Sequence, residues 1–194
     1  MSVIDQAAIS TDHAAYAAAR AQRRAAIIPV RAARRVLLGD LIGLEFENSE
    51  TLTFQTQEMV YTERLSSPDE VHHEIAAYSR MLPGPNSIVA TFFIYLQNPI
   101  DIKAQLEAMQ GLHTSLTIEV GPHRIVGVPI PPSDEEDDER TVSVHVLRFT
   151  FNDAALAAFK DLSEPATIVI EHASYSDDMV IDVELRQLLV ADLA

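Results

Sequence analysis

Polar side chains recur along Phe46–Glu63 at spacings that could place them on one face of a helix. Thr51, Gln55, Glu58 and Thr62 lie three or four residues apart, and residues at that spacing are neighbours on a helix surface. Neutral amides and hydroxyls in such a stripe indicate a half-buried polar surface. This surface either lines a ligand-binding groove or forms a hydrogen-bond network that ties the helix to the preceding extended segment.

A ligand site in this region would use carboxylate and amide groups, so the ligand-binding candidates are Glu47, Asn48, Gln55 and Glu58. Catalysis would also need a group that changes its protonation near neutral pH, which points to histidine. The catalytic candidates are His145, Glu58 and Arg148, and the metal-binding candidates are Glu58, His145 and His172. An enzyme of this kind requires Glu47, Glu58 and His145 to meet in one cleft, with His172 as an optional fourth member of the site.

His145 lies in the apolar segment Thr141–Phe151, which is typical of a strand. Alternation places His145 on the same face as Leu147 and Phe149, whereas Arg148 points to the opposite face. A histidine on an apolar sheet face is commonly a hydrogen-bonded core residue, and its alternative role is that of a general base or metal ligand. Both interpretations stay open.

A second arrangement, Glu70-Val71-His72-His73, contains a Glu-x-x-His pair at helical spacing, as found in di-iron carboxylate bundles. Such sites need a second Glu-x-x-His pair, and the sequence has no second copy. We therefore expect His72 and His73 to lie on the solvated side of a helix.

The elements that would position these residues follow from capping signals and hydrophobic periodicity. Ser67-Pro68-Asp69-Glu70 has a serine cap, a proline in the first turn and a glutamate three residues after the serine, which begins a helix that ends before Pro83. Pro29 is expected to end or kink the first helix. The other predicted helices are His13–Ile28, Val30–Arg35, Asn48–Glu63, Ile100–Met109, Asp153–Leu162 and Asp182–Leu193.

Segments rich in β-branched and aromatic residues predict the strands. Val36–Phe46 is extended with a turn at Gly39-Asp40, and a hairpin crosses Gly121-Pro122. The strands are Ser87–Leu96, Leu116–Val120, Arg124–Val128, Thr141–Phe151 and Thr167–His172. The pattern predicts an α+β fold: one domain over residues 1–194, with a mostly antiparallel sheet and helices packed mainly on one face.

Composition limits the class of protein. The chain has 47% hydrophobic residues and no cysteine, which excludes disulfides and thiolate chemistry in this subunit. The net charge of −15 argues against nucleic acid as a partner. No apolar run is long enough for a membrane span, and the start of the chain lacks the features of a secretory signal, so we expect a cytoplasmic protein. The sequence requires no cofactor.

Charge is unevenly distributed along the chain. Residues 1–10 need not be ordered, and residues 131–140 are expected to form an acidic surface loop. Cationic residues cluster near the N-terminus, at Arg20, Arg23, Arg24, Arg31, Arg34 and Arg35. This cluster either pairs with the acidic surface of the same domain or provides a docking surface for an anionic ligand or partner.

The block Phe46–Met59 followed by Glu63-Arg64 resembles an uncharacterised bacterial family, domain of unknown function number 3501. Family members carry a similar Phe-Glu-Asn, Glu-Thr and Gln-x-Gln-Glu-Met pattern. Arg34-Arg35-Val36 with Gly39 and the segment Val144–Phe149 also resemble the family. The chain differs at Ala173, where members usually have proline, and in its acidic loop Asp134–Glu139.

The resemblance implies a functional context. Members of the family are often encoded beside a rubrerythrin-like protein and an iron–sulfur oxidoreductase. This implies a non-catalytic accessory or interaction protein in a redox or peroxide-response pathway, with these two proteins as partners. The alternative function is a metal- or small-ligand-binding enzyme that uses a Glu/His polar pocket.

Overall fold

The computed structural model describes residues 3–96, 100–131 and 143–193. In these residues eight strands form one sheet in the order β1-β2-β3-β6-β5-β4-β7-β8, and every neighbouring pair is antiparallel. The prediction of an α+β fold with a mostly antiparallel sheet is confirmed. The strands are β1 Arg35–Leu38, β2 Ile42–Glu47, β3 Ser87–Ile94, β4 Leu116–Val120, β5 His123–Pro129, β6 Val144–Thr150, β7 Ala166–His172 and β8 Tyr175–Val180.

The part of the chain that the structure describes contains six α-helices, and two of them begin at capping motifs built from both a side chain and the backbone. Ser67 and Glu70 form the predicted reciprocal cap of the third helix, and Asn48 forms a similar cap with Thr51 at the start of the second. The helices are α1 His13–Ala32, α2 Ser49–Thr62, α3 Pro68–Ser79, α4 Ile102–Ala108, α5 Asp153–Lys160 and α6 Val183–Asp192.

The main core lies on the inner face of the curved sheet. Alternate residues of each strand point inwards, including Leu44 and Phe46 of β2 and Phe92 of β3, all of them fully buried. Side chains from α5 and α6, among them Phe159 and Leu189, belong to the same cluster. Burial of each such side chain contributes about 1.5–3 kcal/mol.

A second cluster lies under the N-terminal helices. Leu52 and Val60 of α2 pack with Val71 and Ile75 of α3, together with Ile4 and Ile9. The described part of residues 1–10 is therefore packed against the helices. Glu47, on the face of β2 opposite Phe46, contacts α2. Helices thus contribute to both faces of the sheet, and the predicted packing mainly on one face is not confirmed.

The two edges of the sheet approach each other, so that the sheet is nearly a closed barrel. Tyr175 of β8 donates a hydrogen bond from its hydroxyl to the carbonyl of Leu38 in β1, at 2.7 Å. Gly39 begins the turn after β1 with φ +52°, and a Cβ there would lie 2.5 Å from the Tyr175 hydroxyl. Glycine is therefore required at this point by both conformation and space.

Two local predictions differ from the structure. Pro29 does not end α1 but lies in its last part, and the chain enters β1 at Arg35 instead of forming a second short helix. The strand β8 is not predicted from the sequence.

The acidic loop falls, apart from Pro131, outside the described residues. Within the described part of the chain, no helix has the length and apolarity needed to cross a membrane.

Candidate functional site

Glu47 lies at the end of β2, where the strand leads into α2. Its side chain is buried, with the residue only 2% exposed. It accepts hydrogen bonds from the hydroxyls of Thr51 and Thr91 and from Gln55 Nε2, the last at 2.9 Å. Among the described residues no cation is paired with Glu47. Neutral donors therefore hold this carboxylate.

The same network joins the strand to the helix. Thr51 accepts a hydrogen bond from the backbone N–H of Asn48, and the Asn48 side chain accepts one from the Thr51 N–H. Thr51 then donates its own hydroxyl proton to Glu47. Three of the four predicted ligand-binding residues (Glu47, Asn48, Gln55) thus meet. They make the contacts expected of the structural network that ties α2 to the preceding strand.

The fourth, Glu58, contacts α1. Its carboxylate accepts hydrogen bonds from the Tyr16 hydroxyl at 2.8 Å and from Arg20 Nη2 at 2.7 Å, and Arg24 Nη1 lies 3.7 Å away. The hydrogen bond from Arg20 holds the pKa of Glu58 below its usual value, assisted by Tyr16. Glu58 is therefore ionised at neutral pH, and its proton affinity is far below that suited to a general base.

A pocket of 320 Å³ lies beside Glu58 between α1 and α2, with Tyr78 of α3 at its margin. We call it the α1–α2 pocket. Its polar lining is Arg24, Arg31, Gln55, Glu58 and Thr62, and its apolar lining is Ile27, Ile28, Phe54 and Met59. Three of the four residues of the predicted polar stripe, Gln55, Glu58 and Thr62, thus line one pocket.

Further ion pairs join the N-terminal arginine cluster to carboxylates of the same chain. Arg31 donates to the buried Glu45 from Nε and, at 3.0 Å, from Nη2, and Arg35 lies 3.8 Å from the same carboxylate. Arg34 pairs with Asp192 of α6 at 2.6 Å. Each arginine of the N-terminal cluster except Arg23 therefore has a carboxylate of the same chain within ion-pair distance. The internal pairing considered for this cluster is observed.

Arg148 lies on the outer face of β6, as alternation predicts. It donates to the backbone carbonyls of Arg80 at 2.7 Å and Leu82 at 3.2 Å and to the Ser87 hydroxyl. These carbonyls follow the end of α3, so the guanidinium satisfies acceptors that the helix leaves open. Burial lowers the pKa of Arg148. A second, larger pocket of 740 Å³ adjoins Arg148 and is lined by Pro83, Val128 and Pro129 among others.

His145 lies on the inner face of β6, as predicted, and stacks on His113. The two ring centroids are 3.8 Å apart and the rings are nearly parallel, at 5°. Burial lowers the pKa of His113, whose Nδ1 is buried without a hydrogen-bond partner in the described part of the chain. His145 faces away from Glu47, because Glu47 bonds Thr91 whereas His145 is paired with the oppositely directed Phe92.

His172 is at the end of β7, where its Nδ1 lies 2.8 Å from the Ser174 hydroxyl in the turn to β8. Glu58, His145 and His172 are therefore held by three different sets of neighbours. Across residues 3–96, 100–131 and 143–193, no group of three or more histidine, aspartate and glutamate side chains is arranged to hold a metal ion. Glu70 serves as a helix cap, and His72 contacts Gln6 at 2.8 Å.

Several residues that contact the candidate site residues could not be identified from the sequence alone. Tyr16 and Arg20 are 42 and 38 residues from Glu58, and no local pattern links them. Thr91 and His113 are likewise supplied by distant segments. Glu45 could have been identified, because a lone carboxylate within the apolar run Ile42–Phe46 indicates a buried ion pair, and the arginine cluster offered the partner.

Comparison with known proteins gives a family and a structural relative. A crystal structure at 1.90 Å resolution of a novel protein of unknown function from Burkholderia pseudomallei matches with a TM-score of 0.91 and 27% sequence identity. The match covers 100% of both chains. A search of curated proteins finds no match. The model of the family described as "Protein of unknown function (DUF3501)" matches residues 4–193, and the chain therefore belongs to that family.

Proposed function

We propose that this protein is a non-catalytic accessory protein that binds another protein. The observation that carries the proposal is a set of apolar side chains that are exposed, within the described part of the chain, on the outer face of the sheet. Val126 and Val128 of β5 and Val144 of β6 are 49%, 60% and 46% exposed. The register pairs Val128 with Arg148, so these side chains point away from the inner core. Val126 and Val128 are two positions apart on β5, and Val144 lies on the same face of β6, four positions from Arg148. Exposed apolar surface is a feature of protein–protein contact sites.

The contacts of three of the candidate site residues support the same proposal. Glu47 and Glu58 are occupied by hydrogen bonds that join β2, α1 and α2. Arg148 is occupied by the carbonyls after α3. The sequence also contains no cysteine, so this chain supplies no thiol for electron transfer. A role in a redox pathway would then be fulfilled through a partner.

The family resemblance indicates which partners to test. They are an iron–sulfur oxidoreductase and a rubrerythrin-like protein, in a redox or peroxide-response pathway of a bacterial cytoplasm. The valine surface, defined as Val126, Val128 and Val144, is the proposed contact with one of them.

The experiment is affinity purification of this protein from its native host at its normal expression level, followed by identification of the bound proteins. We expect both partners to be recovered with the wild type. Val128→Asp places a charge in the valine surface and is expected to reduce recovery of the contacting partner at least about tenfold, since a buried unpaired charge is costly at an interface.

The matched control is Val180→Asp. Val180 is 59% exposed and lies on β8, three strands away from β5 in the sheet. The same chemical change there should leave recovery unchanged. If neither partner is recovered with the wild type, or if the two variants lose them equally, the proposed accessory role through this surface is wrong.

A second candidate function, binding of a small ligand, is favoured by one observation: Gln55 and Glu58 both line the α1–α2 pocket. An enzyme that also used His145 or His172 would need those side chains to approach this pocket. Its metal-dependent form predicts stoichiometric iron, zinc or manganese in protein purified without chelator. Protein that is metal-free and fails to bind added metal would exclude that form.

A further inference from the structure

We infer that the α1–α2 pocket binds a small linear dicarboxylate, a molecule with an anionic group at each end and an apolar middle. This inference goes beyond the accessory role and does not depend on it, because the pocket lies between α1 and α2 and the valine surface on β5 and β6. It concerns the chemistry that the pocket lining can recognise.

The size of the pocket selects a small molecule. Its volume of 320 Å³ is near the lower limit of pockets that bind small ligands, which is roughly 300 Å³. A helix from a partner protein is about 10 Å across with its side chains and rises about 5.4 Å per turn. A single turn of such a helix therefore already exceeds the volume of this pocket.

The distribution of charge selects an anion. The charged groups in the lining are two arginines and one carboxylate, Arg24, Arg31 and Glu58. Arg24 shares the carboxylate of Glu58 with Arg20, whereas Arg31 and Arg35 share that of Glu45. The negative charge of Glu47 also acts on Arg31. The lining itself therefore has one positive charge in excess, which favours an anionic ligand in a chain with a net charge of −15.

The hydrogen-bond donors at the two ends are not fully used. Arg24 approaches Glu58 only to 3.7 Å, which is beyond hydrogen-bond distance. Arg31 gives Nε and Nη2 to Glu45, which leaves its Nη1 for another acceptor. Guanidinium groups bind carboxylates well because their planar donors match the two oxygens.

The spacing of the two arginines sets the length of the ligand. Arg24 and Arg31 are seven residues apart on α1, which corresponds to roughly 10.5 Å along a helix axis. Between them lie Ile27 and Ile28, and Phe54 and Met59 form the facing wall on α2. An unbranched hydrocarbon chain between two carboxylates matches this order of charged, apolar and charged contacts.

The other groups at the pocket restrict where the anionic ends can lie. Gln55 uses its amide nitrogen for Glu47. Burial, together with Glu74, Glu47 and Glu63, raises the pKa of Tyr78, so its hydroxyl stays protonated. Those carboxylates disfavour an anion beside Tyr78, and the carboxylates of the ligand are therefore expected at Arg24 and Arg31.

The test is isothermal titration calorimetry of the full chain with succinate, adipate and suberate, which increase in length, and with hexanoate as a monocarboxylate of matched carbon number to adipate. We expect saturable binding of at least one dicarboxylate and at least about tenfold weaker binding of hexanoate. If no dicarboxylate gives saturable binding, or if hexanoate binds as tightly, the inference is overturned.

Two variants locate the site. Arg24→Gln removes one anionic contact and loses only a long ion pair within the protein, so we expect the fold to persist and affinity to fall about tenfold. Arg23→Gln is the control: it removes the same charge from the adjacent position, where Arg23 stacks over Tyr16 and does not line the pocket. An equal loss in both variants would show a general charge effect and contradict the proposed site. That result would leave the proposed accessory role untouched, because recovery of the partners tests the valine surface and not this pocket.

Discussion

Two buried carboxylates on neighbouring outward positions of β2 are stabilised in different ways. Glu45 is 1% exposed and has two arginines near it. Glu47 is 2% exposed and has hydroxyl and amide donors. Burial of a charge without partners costs several kcal/mol, so both sets of donors are needed for β2 to lie under α1 and α2.

The first prediction concerns Glu47. Replacement by alanine would remove the carboxylate that accepts from the buried Thr51 and Thr91 hydroxyls and from the half-buried Gln55 amide. We expect Glu47→Ala to lower the free energy of unfolding by about 2–4 kcal/mol, measured by urea denaturation. Glu50→Ala, an exposed change in the first turn of the same helix, should cost less than about 1 kcal/mol. A loss no larger than that of the control would contradict the network role.

The second prediction concerns His113 and pH. Burial lowers its pKa below the ordinary value of 6.5, so the unfolded chain binds this proton more readily than the native state does. The free energy of unfolding should therefore decrease as the pH falls through 6.5 towards the lowered pKa of the folded state. The lowered pKa of Glu58 acts in a separate range, below 4.5.

Urea denaturation at a series of pH values from about 8 to about 5 measures this effect. His113→Gln should show a smaller pH dependence than the wild type over that range. An unchanged pH dependence in the variant would show that His113 contributes nothing to it.

At the level of elements, single side chains complete the ends of helices. Arg186 of α6 is 3% exposed and donates to the carbonyls of Phe159 at 3.0 Å, Ala158 at 3.0 Å and Asp161 at 2.9 Å. These acceptors lie at and after the end of α5, which leaves its last carbonyls without partners in the helix. One guanidinium thus fixes α5 against α6.

The third prediction follows from that geometry. Arg186→Lys keeps the charge but cannot supply the planar set of donors. We expect it to lower the free energy of unfolding by about 2–4 kcal/mol, because the buried Arg186 site loses donors to the carbonyls of Phe159, Ala158 and Asp161. Arg124→Lys, at a side chain that is 52% exposed, should change it by less than about 0.5 kcal/mol. Equal stability of Arg186→Lys and the wild type would contradict the capping role.

Elements with local signals could be predicted from the sequence, and those that depend on tertiary contacts could not. The α3 start at Ser67-Pro68 contains its own capping pattern. β8 contains Asp177 and Asp178, residue types depleted in strands, and it is stabilised by pairing with β7. Pro29 fits within α1 because the helix ends soon after it.

The same distinction applies to the candidate site. The contacts between Glu47, Thr51 and Gln55 are local in sequence and follow from helical spacing. The contacts of Glu58 with α1 and of His145 with His113 join distant segments, so a single sequence gives no spacing from which to infer them.

At the scale of the whole molecule, a side-chain hydrogen bond joins the two edges of the sheet. Between β1 and β8 the Tyr175 hydroxyl bonds the Leu38 carbonyl. Burial and the neighbouring Asp177 raise the pKa of Tyr175 to about 12, so the hydroxyl remains a donor at neutral pH. The sheet is therefore joined at this edge by a side chain as well as by packing.

The fourth prediction tests this closure. Tyr175→Phe removes the hydroxyl that contacts the Leu38 carbonyl and the Asp177 carboxylate, and should lower the free energy of unfolding by about 1 kcal/mol. It should also increase amide hydrogen exchange in β1 and β8 more than in the central strands. Tyr61→Phe, on α2 away from this edge, serves as the control. Uniform exchange across the sheet in Tyr175→Phe would contradict a role for Tyr175 in closing it.

The accessory role is tested most directly by hydrogen exchange of the purified protein with and without the purified iron–sulfur oxidoreductase and rubrerythrin-like protein. If the valine surface is the contact, one of these proteins should slow exchange in β5 and β6, and Val128→Asp should remove that protection while Val180→Asp retains it. Unchanged exchange in β5 and β6 with both proteins, or protection that survives Val128→Asp, would contradict the proposal.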